Sequence, residues 1–82
     1  MLEKFLKLNP PTFKGYPDPI VAEGWVKEIT KIFEAMQVPD ERRMSLIPFV
    51  LRGEADFWWD MITRMEDVNN MTWEQFKKLF LE

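Results

Sequence analysis

Glu54, Asp56 and Asp60 are the closest approach in this chain to a set of catalytic carboxylates. Such pairs do acid–base work only when burial or a charged partner shifts one of them and a cleft receives the substrate. Here they stand at the start and along the outer side of a helical pattern, where acids complement the positive helix end and face water. Asp40-Glu41-Arg42-Arg43 gathers charge at another helix start. A solvated helix start is its plain reading, and an electrostatic partner contact the sharper one. Asn70-Met71-Thr72 matches a glycosylation sequon. No secretory signal opens the chain, so Thr72 reads as a helix cap. There is no histidine and no cysteine, which removes the commonest general base, thiolate chemistry and the usual transition-metal ligands. No phosphate loop, nucleophile elbow or metal-ligand spacing appears. These residues predict no enzyme, no metal and no cofactor.

Composition turns the question from chemistry to packing. The 82 residues make one domain, near the lower end of what a single core stabilises. Four Trp, seven Phe, one Tyr and six Met supply the large side chains such a core needs. Net charge is −3, and the basic pairs Arg42-Arg43 and Lys77-Lys78 sit close to acids. Phosphate contacts dominate nucleic-acid affinity, so binding of nucleic acid through this segment is not expected. No apolar run reaches the length of a membrane span. The expectation is a soluble cytoplasmic domain.

Residues 1–17 read as an extended arm, punctuated by Pro10, Pro11 and Pro17 and anchored by Phe5, Leu8, Phe13 and Tyr16. Residues 18–82 read as a helical lobe whose C-terminal end looks truncated. Asp18-Pro19 starts a helix over 19–36, with Val21, Trp25, Ile29, Ile32, Phe33 and Met36 on one stripe. Gly24 lies inside it, which predicts a close helix approach. A second helix is expected over 40–51, kinked at Pro48 and closed by Gly53. A third spans 54–65 with Ala55, Trp58, Trp59, Ile62 and Met65 inward and Phe57 and Met61 on a flank. Thr72-x-x-Gln75 is a capping box opening a fourth, with Trp73, Phe76, Leu79 and Phe80 apolar. The fold class is therefore all-α: a compact bundle of about four helices with an extended, proline-containing arm.

Aromatic stripes at helical spacing are most simply core. Ile29, Phe33, Leu46, Leu51, Trp58, Trp59, Trp73 and Phe76 are the predicted core. Phe57, Met61, Phe13 and Tyr16 exceed what so small a body covers, and an apolar surplus marks an interaction site.

Five segments in order carry a family likeness: Leu8-Asn9-Pro10-Pro11-Thr12-Phe13-Lys14-Gly15, then Trp25 through Ile32-Phe33-Glu34-Ala35-Met36, Leu51-Arg52-Gly53-Glu54-Ala55, Trp58-Trp59, and Thr72-Trp73-Glu74-Gln75-Phe76. The chain resembles the Gag polyprotein of gypsy-class LTR retrotransposons, in the N-terminal lobe of its capsid domain. Pro48 departs from the likeness, since family members usually carry an ordinary helix former there. The resemblance implies a retroviral-capsid-like helical lobe whose copies self-assemble into a virus-like particle. Under that reading Arg42, Arg43, Phe57 and Met61 are candidate assembly contacts. The alternative is a domesticated Gag-derived module, since domesticated relatives bind short peptides beside the arm. Phe5, Leu8, Phe13, Tyr16 and Trp25 are then the candidate groove.

Overall fold

The computed structural model describes residues 2–15 and 18–82. Five α-helices follow one another: α1 Leu2–Lys7, α2 Pro19–Ala35, α3 Asp40–Leu46, α4 Gly53–Met65 and α5 Trp73–Leu81. Single 3-10 turns fill Ile47–Phe49 and Val68–Asn70. Four of the helices have seven residues or more, as the all-α bundle expectation requires.

The strongest local signals fold as written. Asp18 caps α2 by accepting from the Ile20 amide at 2.9 Å, with Pro19 in the first turn. At its other end Gln37 adopts φ +55°, its amide donating to Glu34 O at 3.0 Å while the Val38 amide reaches Phe33 O at 2.9 Å. This is a Schellman motif, completed by the apolar pair Phe33 and Val38, both buried. The Arg43 guanidinium lies 5.5 Å from the Phe33 ring centroid and its Nε donates to Val38 O at 3.0 Å, which ties α3 to that corner. At α5 the capping box is complete. Thr72 Oγ1 accepts from the Gln75 amide at 3.1 Å, and Gln75 Oε1 accepts from the Thr72 amide at 2.9 Å.

Proline 48 does more than kink a helix. The expected helix over 40–51 ends at Leu46 and passes into the 3-10 turn, because Pro48 has no N–H to donate and its ring crowds the preceding turn. Val50 and Leu51 then run on outside any helix, both fully buried. Gly53, expected to close that helix, instead opens α4 at φ +56°.

The N-terminal segment is also not wholly extended. Residues 2–7 form α1, which turns its one buried side chain, Phe5, onto Phe33 with ring centroids 5.5 Å apart. Asn9 at φ +50° stops the helix, a conformation Asn tolerates better than most residues. From Pro10 to Lys14 the chain is extended and lies on its own body. The Phe13 amide donates to Val50 O and the Arg52 amide to Phe13 O, each at 2.9 Å, forming a parallel bridge between Phe13 and Leu51. The Trp25 indole donates to Pro11 O at 2.7 Å. A radius of gyration of 12.0 Å matches the about 12 Å of one compact body of this length, with the arm included.

Rings from every part of the chain meet in the core. Phe76 contacts Trp73, Trp59, Phe80 and Trp58 at centroid distances from 5.3 to 6.3 Å. Phe33 continues the set from Trp73 to Phe5, and Phe80 continues it to Trp25 and Phe13. Ile29, Leu46 and Leu51 fill the space between, as predicted. One inward assignment fails, and another holds only in part. Met65 is 71% exposed, because it lies at the edge of the inward face of α4, one turn beyond exposed Met61. Trp58 is only half-buried, lying at the border between the inner face of α4 and solvent. Gly24 faces water as well, and a Cβ there would meet nothing within 4 Å, so no neighbouring helix explains it.

Two stability outcomes follow from these positions. Gly24→Ala should raise stability by about 1 kcal/mol, and Gln37→Gly by about 0.5 kcal/mol or more, read as thermal midpoints. Trp73→Ala should cost about 3–5 kcal/mol and abolish cooperative unfolding in so small a domain. Trp58→Ala should leave a folded protein with a lower midpoint, because part of its ring already faces water while Trp73 is fully buried. Circular dichroism melts of the two Trp variants rank them directly, and a more damaging Trp58→Ala would contradict the packing.

Candidate assembly and docking surfaces

Carboxylates at the start of α4 do not converge on a site. Glu54, Asp56 and Asp60 are all exposed, and no group of three or more metal-binding side chain types is placed to hold an ion among the described residues. What the surface offers is apolar. Phe57 is 70% exposed and Met61 51%, one turn apart on the outer face of α4. Both were expected there, and Met65 extends them by a further turn. The helical spacing was legible, but Met65 was assigned to the wrong side of it.

The two arginines separate. Arg42 is exposed and makes no ion pair among the described residues. Arg43 is held within its own chain by Val38 O, by Asp40 at 3.9 Å and by the face of Phe33. It therefore fixes the turn between α2 and α3, and presents little of its charge outward. Nothing in the spacing of a basic pair distinguishes these roles. The signal is the Schellman corner beneath Arg43, whose open carbonyls attract a cation.

The candidate groove residues also divide. Phe13 and Trp25 meet at 5.7 Å and floor a hollow of about 400 Å³ between the arm and α2, bordered by Pro11, Lys14, Val21 and Glu28. Phe5 is fully buried against Phe33 and reaches no surface, because α1 turns it into the core. Leu8 is exposed and lies outside the hollow. Tyr16 falls outside the described residues.

A second hollow, of about 490 Å³, opens on the other side of the arm and was not anticipated. Ala22, Ala55, Trp58 and Phe80 line its apolar part, and Asp18, Glu23 and Glu54 its polar part. The half-exposed edge of Trp58 is the feature that opens it. A reading that treats adjacent tryptophans as equally buried cannot find it.

Both hollows exist because the arm stays seated. Gly15 at φ +93° passes so near α4 that a Cβ would lie 2.8 Å from Glu54 Cβ and 2.9 Å from the Ala55 amide nitrogen. Gly15→Val should therefore unseat the arm, at a cost of about 2 kcal/mol or more. Hydrogen exchange should show the Phe13 and Arg52 amides losing protection while those of α5 keep most of theirs. Unchanged protection at Phe13 would contradict the bridge.

Comparison with known proteins returns one family. The family described as the retrotransposon-derived protein PEG10, N-terminal capsid-like domain, matches residues 7–82. No curated protein and no solved structure matches the chain at a significant level. The matched span runs from the end of α1 through α5, taking in the extended arm, the bridge and every ring of the aromatic core except Phe5. No helix among the described residues is long and apolar enough to cross a membrane. A capsid-like domain is a structural part, and the five ordered segments, the all-α bundle and this match agree: the chain belongs to the retrotransposon-derived, Gag-type N-terminal capsid-like domains.

Proposed function

We propose that the lobe is a self-association module, through which copies of a Gag-type capsid protein build a virus-like particle. The observation that carries this reading is the exposure of Phe57 and Met61, one turn apart on the outer face of α4. Large apolar side chains left in water on a folded domain mark an interface. Each such contact is small, and copy number multiplies it. Arg42, free of partners among the described residues, adds a charged contact on α3. In the full-length protein, Phe57→Asp should cut particle yield by about ten-fold or more in electron micrographs while the melting midpoint holds. Undiminished particles would remove α4 from the assembly surface.

A peptide-binding role is the second reading, favoured by the hollow floored by Phe13 and Trp25. An extended ligand there would lie along the arm and drop an apolar side chain against the two rings.

A further inference from the structure

Phe57, Met61 and Met65 recur every fourth residue along α4 and are 70%, 51% and 71% exposed. Four residues advance an α-helix by about 6 Å and turn it only about 40° past a full circle, so the three form one continuous strip about 12 Å long. Beside the strip, on one side, stand Asp60 and Arg64, both exposed. Among the described residues Arg64 has no ion-pair partner. Two methionines beside a phenylalanine make a surface that adapts its shape to what covers it.

The charge order selects the occupant. If a second α4 lay on the first in parallel about a two-fold axis, Asp60 and Arg64 of the two copies would fall on opposite sides of the seam, and no Asp60–Arg64 contact would form across it. If the two ran antiparallel about a two-fold axis at Met61, Phe57 of each copy would pack on Met65 of the other. Met61 would meet its own counterpart on the axis. A two-fold of this kind keeps flanking residues on the same side of the seam. Arg64 then lies about 3 Å, measured along the helix, from Asp60 of the other copy, and the pair occurs twice. We propose that α4 pairs with α4 of a second copy in this antiparallel, two-fold arrangement. The inference rests on the self-association reading and adds its partner, direction and centre. One helical strip per copy is smaller than the about 1,200 Å² of a stable interface, so the pair forms only at high concentration or inside an assembly.

The absence of cysteine makes the test direct. Met61→Cys places a single thiol on the proposed axis, and Lys27→Cys places one on exposed α2 as a control. Under mild oxidation of the concentrated chain, Met61→Cys should form a disulfide dimer about ten-fold faster than the control or more, because pairing raises the local thiol concentration. In the Met61→Cys background, Arg64→Asp should slow cross-linking about ten-fold, and adding Asp60→Arg should restore it. Equal rates for Met61→Cys and the control would overturn the pairing. Failure of the double swap to rescue would overturn its antiparallel register. If the full-length protein assembles while Met61→Cys shows no advantage, self-association stands and this contact does not. If light scattering finds neither assembly of the full-length protein nor dimers of the lobe, both fall.

Discussion

Phe76 is the constraint on which the rest of this lobe depends. An 82-residue chain has little interior, and here one fully buried ring contacts rings from both α4 and α5. Edge-to-face and offset stacked pairs add about 0.5–1.5 kcal/mol each beyond the area they bury. They also fix mutual angles, which an aliphatic core of similar volume does less strictly. With α5 placed by Phe76, Trp73 locates α2 through Phe33, and Phe33 locates α1 through Phe5. The arm enters last, its Phe13 ring set against Phe80 and Trp25.

That order of dependence leaves freedom to vary at the periphery. A core committed to ring geometry tolerates little change, whereas the outer face of α4 and the hollows beside the arm are free of it. One helix, α4, carries both kinds of face. Trp59 faces the interior and Phe57 faces water, two residues apart.

How much of this was legible in the sequence depended on range. Asp18-Pro19 and Thr72-x-x-Gln75 specify their helices through bonds to the next two or three residues, so both starts appear where expected. Pro48 announced a disturbance, but its outcome was set by distant partners. Val50 and Leu51 leave the helix and receive Phe13, which no local pattern reveals. Phe5 was read as an arm residue, since six helical residues are too few to recognise without Phe33 to pack on. Periodicity placed Phe57 and Met61 outside correctly. It misjudged Met65 and overstated the burial of Trp58, since both lie near the edges of the buried face where a small rotation decides exposure. The proposed surface was legible as a surplus of apolar side chains, whereas the second hollow depends on the partial exposure of Trp58, which spacing does not reveal.

The Phe13–Leu51 bridge has a kinetic consequence. It joins residues roughly forty positions apart in the chain, and docking the arm costs the ordering of the arm's own residues, which two main-chain bonds must meet with help from the Phe13 ring. Helices α2 to α5 can collapse on one another without it, since their contacts need no part of the first fifteen residues. Docking of the arm is therefore expected to be a late step and its release an early one, reversible while the helical body persists. The lobe would then spend a small fraction of its time with a detached N-terminal strand and an uncovered aromatic seat, ready to accept the same strand from a neighbour.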